Sequence, residues 1–209
     1  MSKCKFVLVA ALAAITQPSY AGTISGVVNV KAPEKTEAKS AEAAKPAPVV
    51  VWVEGIQKFE VPKEKPQISQ KDAQFTPSFL VVVAGQTVEM PNNDNIAHNV
   101  FSFSPTKKFN LGIYPKGESK DVTFDQTGVV EIFCSIHRHM NAKVMIVPNP
   151  SFAQTNANEA YKIENVPAGT YTVKVWHEGY VCKEQSVTVA DSGEVKLDLT
   201  MTPEEPKQQ

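Results

Sequence analysis

The chain has 209 residues, 42% hydrophobic and 21% charged, with a formal net charge of −1. Such ordinary globular composition excludes collagen-like, wholly disordered and membrane-spanning chains, and the near balance of Lys+Arg against Asp+Glu leaves no whole-chain footprint for nucleic acid. The length allows one large domain or two small ones, and the short runs of Val and Thr, with Gly 10 and Pro 15, favour strands over helices.

Residues 1–21 read as an address. Lys3 and Lys5 precede an apolar run from Phe6 to Ile15, and Ser19-Tyr20-Ala21 supplies a small-x-small site. That is a secretory signal peptide with cleavage after Ala21, the apolar run being far short of the roughly 20 residues that span a bilayer. Cys4 lies before the apolar run, which disfavours a lipoprotein, and the mature chain keeps Cys134 and Cys182. Thr23 to Val30 reads as a strand, Lys31 to Pro48 as an Ala/Lys/Glu/Pro-rich disordered loop, and Val49 to Gly55 as a buried strand. A polar, Pro-punctuated stretch runs to about Thr76. Phe79–Val83, the turn Ala84-Gly85 and Gln86–Met90 read as a strand and its return, followed by loop residues Pro91 to Asn95. Asp121–Phe124, the turn Asp125 to Gly128 and Val129–Phe133 repeat the pattern, and Lys143–Val147 closes this unit. Beyond Pro150, Tyr161–Ile163, the turn Pro167 to Thr170, Tyr171–Trp176 and a final alternating strand Val195–Met201 follow. No segment carries a helical period, so the expectation is an all-β chain of two sandwiches.

The chemistry concentrates in Cys134-Ser135-Ile136-His137-Arg138-His139-Met140, between two apolar strands, with His98 in an upstream loop. A thiolate, imidazoles and a thioether form a soft nitrogen-and-sulfur set that suits copper, and two histidines, a cysteine and a weak axial methionine are an electron-transfer arrangement. His139 competes with His137. As the direct neighbour of Met140, however, it would keep that thioether from an axial position and leave Met145, which lies in a strand pattern with Val144 and Ile146. Other readings use the same residues. A Cys134–Cys182 disulfide suits an oxidising compartment. Structural zinc is poorly served by a thioether. A Cys–His hydrolase lacks an adjoining Gly-rich oxyanion segment. Arg138, the only arginine, is either a docking contact or a solvated loop residue; Met90 and Met145 read as core, and Trp176-His177 as structural.

With Val88-Glu89-Met90-Pro91-Asn92, the pair His98-Asn99 and Gly128 to Cys134, this loop resembles the cupredoxin family of blue-copper proteins, over about Phe75 to Val147. The short Cys-x2-His-x2-Met spacing is similar to that of amicyanin. The resemblance implies a Greek-key β-sandwich or barrel, one copper ion cycling Cu(II)/Cu(I), and His98, Cys134, His137 and Met140 as its ligands. It implies for Asn99 a bond tying the histidine loop to the cysteine loop. Phe152 to Tyr171, with Val166-Pro167-Ala168-Gly169-Thr170-Tyr171, and Glu178-Gly179-Tyr180 resemble the carboxypeptidase regulatory-like, or transthyretin-like, sandwich. That family begins with a Gly-x-Val strand and a Val-rich strand, which here occur far upstream.

The expected organisation is therefore a signal peptide at 1–21 and early strands of the small sandwich at 22–60, with the loop at 31–48. A copper domain at 68–148 follows, then the remainder of the sandwich at 149–203 and a disordered tail at 204–209. Insertion of the copper domain into a loop costs little closure entropy; a ragged N-terminal extension packed on the copper domain is the other arrangement. The leading functional expectation is a secreted, periplasmic one-electron carrier, not an enzyme, with protein donor and acceptor partners, no nucleic acid and no membrane span in the mature chain. The alternatives are copper storage or delivery, with His139 as a landing ligand, and a surface-interaction module.

Overall fold

A computed structural model of the protein describes residues 21–32 and 48–205. Among these every regular element is a strand. In chain order they are β1 (Ala21–Val30), β2 (Pro48–Glu54), β3 (Ser69–Lys71), β4 (Gln74–Thr76), β5 (Phe79–Val83) and β6 (Gln86–Pro91). Next come β7 (His98–Ser102), β8 (Phe109–Tyr114), β9 (Ser119–Phe124), β10 (Gly128–Phe133), β11 (Asn141–Val147) and β12 (Phe152–Asn156). The chain ends with β13 (Ala160–Pro167), β14 (Gly169–Trp176), β15 (Tyr180–Cys182), β16 (Gln185–Val189), β17 (Glu194–Lys196) and β18 (Leu199–Pro203). The expected signal peptide, loop and tail lie outside the described residues except at their margins. There Ala21 and Pro48 open β1 and β2, and the Glu204 N–H donates to the Gly179 carbonyl at 2.9 Å.

The middle of the chain forms two layers. One is the sheet β5-β11-β10-β7-β8, with β5 parallel to β11 and the other neighbours antiparallel. The other is β6 with β9, alongside which the β3–β4 hairpin runs through the bridges Gln67–Glu89 and Gln70–Asn92. Val88, Met90, Val100, Phe124, Val130, Ile132, Val144 and Ile146 fill the space between them. The returning-strand expectation fails here twice. β5 and β6 do not pair, nor do β9 and β10; each couple is split between the two layers. Both members of each couple carry an apolar face, and facing those across a core removes more apolar surface from water than lying edge to edge. Short strands β3 and β4 occupy a stretch that read as polar, β7 opens at His98, which read as loop, and β8 carries no sequence expectation, its alternation being broken by Asn110 and Gly112.

A second pair of layers contains β13-β1-β18-β15, with β17 also on β1, and β12-β2-β14-β16. Ile24, Val28, Val49, Val51, Val53, Ile163, Val173, Leu199 and Met201 pack between them. The last strand, expected to be continuous from Val195 to Met201, breaks between β17 and β18. There the Asp198 carboxylate, at 2.9 Å, takes the Val27 N–H that a carbonyl would otherwise accept. The outer face of the β2 layer meets the outer face of the β5–β11–β10 sheet. Val50, Trp52 and Trp176 pack there against Val83, Met145 and Val147, and Trp176 stacks on Phe79 with centroids 5.3 Å apart. A Lys143–Glu178 ion pair crosses the same seam.

Candidate metal centre

Four strands and two loops bring the chemistry to one end of the middle unit. β10 ends at Phe133, so Cys134 is the first residue beyond it, and β11 begins at Asn141. Two backbone bonds close the intervening loop: Met140 N–H to the His137 carbonyl at 3.0 Å and Cys134 N–H to the Met140 carbonyl at 3.3 Å. Met140 is thereby turned inward beside Cys134, both buried in the same core cluster, while Arg138 and His139 face solvent. His98 is not a loop residue as expected. It is the first residue of β7, opposite Tyr114 of β8, and is fully buried.

His98, Cys134 and His137 converge. The two Nδ1 atoms are 3.1 Å apart, and the Cys134 Sγ lies 4.0 Å from the Nδ1 of His98 and 3.9 Å from that of His137. Three donor atoms with these separations lie on a circle of radius about 2.1 Å, within the ~2.0–2.3 Å range of metal–nitrogen and metal–thiolate bonds. The polar hydrogen of His98 is turned away: its Nε2 donates to the Asp94 carboxylate at 2.9 Å, which leaves Nδ1 a lone pair aimed at the other two donors. Donor atoms this close together suit a shared cation, and an imidazole–thiolate set is chosen by copper or zinc, not by calcium or magnesium. The residues present fit a soft transition metal. Copper bound there supplies a one-electron Cu(II)/Cu(I) couple.

Asn99 departs from the expectation. Its side-chain amide donates to the Asn110 side chain at 2.8 Å, its Oδ1 has no partner, and no side-chain bond to the cysteine loop forms. The link runs instead through its backbone N–H, 3.5 Å from the Cys134 Sγ. β7 and β8 are adjacent strands, so Asn110 is nearer to the Asn99 side chain than the loop is. Met145 is excluded as an axial donor, because strand alternation places it on the opposite face, in the seam with Val50 and Val83. Cys182 lies in the other unit, on β15, and both Cys134 and Cys182 are free, so the disulfide reading fails. Burial pushes the Cys182 thiol up. His177 stacks on Tyr180 with centroids 4.7 Å apart, away from any metal-ligating group among the described residues.

Asp94, bonded to the candidate ligand His98, is the site neighbour that sequence reasoning missed. The Ala73 N–H and then His98 hold its carboxyl down to about 2. Its signal was faint: a carboxylate four residues before a histidine, within an Asn-rich turn whose side chains bond their own backbone.

Residues 62–147 match the family of copper binding proteins of the plastocyanin/azurin type, and residues 139–202 match the carboxypeptidase regulatory-like domain. No curated protein matches the chain. Among solved structures, a purple cupredoxin from Nitrosopumilus maritimus is 24% identical over 40% of this chain and 100% of its own, with a TM-score of 0.37. A reduced amicyanin variant is 20% identical over 46% and 98%, with a TM-score of 0.39. A copper-containing nitrite reductase from Thermus scotoductus is 20% identical over 50% of this chain and 25% of its own, with a TM-score of 0.39. The fold is all-β, and its two regions are similar to the plastocyanin/azurin copper-binding family and to the carboxypeptidase regulatory-like domain.

Proposed function

We propose that this chain is a secreted, periplasmic one-electron carrier in which His98, Cys134, His137 and Met140 would hold one copper ion. The observation that carries the reading is the donor triangle, whose three atoms lie at metal-bond radius in a largely buried place. His98 and Cys134 are enclosed, which keeps water and bulky substrates off two of the three donors, whereas the ring of His137 is partly exposed. His137 is therefore the natural port for electrons. Ile136 in the ligand loop, Ile96 two residues before His98 and Ile113 opposite Asn99 on β8 are exposed and offer a partner apolar contacts. Burial of both neighbours also favours a fixed donor geometry in both oxidation states, so little reorganisation accompanies electron exchange.

The signal-peptide features at 1–21 support export, and no helix among the described residues is long and apolar enough to cross a membrane. We read residues 22–60 and 149–203 as one sandwich interrupted by the copper domain at 68–148. The pairing of β1 with β13, β17 and β18, and of β2 with β12 and β14, supports this reading.

The test is the visible spectrum of the mature protein with Cu(II), before and after ascorbate. An intense thiolate charge-transfer band that ascorbate bleaches and Cys134→Ser abolishes is expected; a colourless Cu(II) protein refutes the reading. Copper delivery is the second reading, favoured by His139, exposed with its ring centroid 6.1 Å from that of His137. It predicts copper release to a mild chelator within seconds, slowed by His139→Ala, where the carrier retains its metal.

A further inference from the structure

We propose that Asp94, clamped by the β3–β4 turn, is a positioning residue of the copper centre: it holds His98 with Nδ1 toward the metal, and its negative charge favours the oxidised ion. This rests on the reading of His98, Cys134 and His137 as ligands.

Four hydrogen bonds hold Asp94. One carboxylate oxygen accepts both His98 Nε2–H at 2.9 Å and the Ala73 N–H at 2.7 Å, and the other accepts the Asn95 N–H at 2.7 Å. Asp94's own N–H donates to the Asn92 side-chain oxygen at 2.9 Å. Asn92 is fully buried, and its amide donates to the carbonyls of Ile96 and Tyr114, both at 3.0 Å, so the turn that carries Asp94 is pinned to the end of β8.

The Ala73 N–H reaches Asp94 from a hairpin in an unusual backbone. Asp72 and Ala73 have φ values of 53° and 51°, two successive non-glycine residues in the left-handed region. A two-residue hairpin of this twist prefers Asn-Gly or Asp-Gly. A residue held left-handed without that freedom persists where surrounding contacts over-determine it, and such strain gathers at functional sites. The contacts are present. Asn93 N–H donates to the Gln70 carbonyl at 2.9 Å, and the buried Gln70 amide donates to Tyr114 Oη at 2.5 Å.

Orientation alone would need only a neutral acceptor. A carboxylate adds a full negative charge one imidazole ring away from the metal, and among the described residues no lysine or arginine lies within ion-pair distance to cancel it. At the effective dielectric of about 20 that suits such sites, removing that charge shifts a one-electron equilibrium by about tenfold or more.

Three measurements on the full mature chain test this. In the copper-free protein, nitrogen NMR should find His98 protonated on Nε2, and Asp94→Ala should abolish that preference. In the copper-loaded protein, Asp94→Asn, which keeps the acceptor, should retain the visible band. Its Cu(I):Cu(II) ratio at fixed potential should rise about tenfold, a midpoint raised by ~59 mV. Asp94→Ala should weaken copper binding by ~10–100-fold, as loss of a ligand's supporting bond does. Loaded Asp94→Asn with an unchanged midpoint, or copper-free His98 protonated on Nδ1, overturns the proposal alone. A chain that binds no copper at all overturns the proposal together with the reading beneath it.

Discussion

Gly26 carries a sharp steric prediction that joins the two ends of the chain. Its backbone is in an ordinary strand conformation, so conformational freedom is not what requires glycine there. A Cβ at this position would lie 2.0 Å from the Leu197 carbonyl oxygen and 2.6 Å from its carbon, with the Asp198 carboxylate at 3.1 Å. No rotation relieves contact with backbone, so Gly26→Ala must drive β1 away from the 197–198 segment. Three bonds sit at that spot: Leu197 N–H to the Ser25 carbonyl at 2.7 Å, Val27 N–H to Asp198 at 2.9 Å and Tyr161 Oη–H to the Leu197 carbonyl at 2.6 Å. Loss of two or three, at ~1 kcal/mol each, with overpacking of ~1–3 kcal/mol, gives a destabilisation of about 3–6 kcal/mol. The protein supplies its own reporters. Both tryptophans, Trp52 and Trp176, lie on β2 and β14 of the same sandwich, whereas copper absorbance reports on the other unit. In urea, at a slope of about 2 kcal/mol/M, the tryptophan transition should move down by roughly 1.5–3 M while the native visible band survives at zero denaturant. A transition displaced by the equivalent of less than ~1 kcal/mol would refute the close approach of β1 to Leu197 and with it the reading of an interrupted sandwich.

In the ligand loop, His137→Ala should eliminate or strongly change the copper spectrum. His139→Ala and Arg138→Ala should leave it intact, with Arg138→Ala altering only the salt dependence of partner reduction; bleaching by His139→Ala but not His137→Ala would swap their roles. The unfolded, copper-free mature protein should present two thiols to a labelling reagent without prior reduction, and a count of zero would restore the disulfide reading. Burial lowers the pKa of His177 in the folded state, so the unfolded chain takes up its proton first as pH falls. Stability should be level above pH ~6.5 and decline below it, and His177→Phe, which keeps the stack on Tyr180, should lessen that decline. Burial pushes the Tyr114 phenol up to about 12, so its contribution to stability is complete below pH ~10 and is lost between 10 and 12 as the unfolded chain ionises first. Tyr114→Phe should flatten that alkaline limb and cost about 1–3 kcal/mol at pH 7, because the Met90 carbonyl, now bonded at 2.8 Å, loses a buried donor. An alkaline limb unchanged by Tyr114→Phe would refute the assignment.

Strand content and local chemistry are legible in the chain residue by residue. Alternation at Asp121–Phe124 and Val129–Phe133, and the Val-rich runs at Val49–Val53 and Phe79–Val83, read as strands because side-chain period and β-branching act within a few residues. The cysteine loop was legible for the same reason. Cys134, His137 and Met140 are so close in the chain that a tight turn alone brings them together, and burial then separates inward Met140 from outward Arg138 and His139.

Every relation between distant segments waited on the folded chain. Whether β5 returns on β6 or crosses to β11 depends on which apolar faces can be buried together, and local pattern is the same in both cases. Asn99 could have bonded to the cysteine loop or to β8, and the adjacency of β7 and β8 settled it for Asn110. The support of His98 was hidden altogether. Asp94 acquires its role from the Ala73 N–H, twenty-one residues upstream on a hairpin that read as polar loop, and from the buried Asn92 amide. Hydrogen bonds of this kind are directional and short-ranged, so they exist only once the core has fixed where each backbone runs, and no periodicity in the chain announces them.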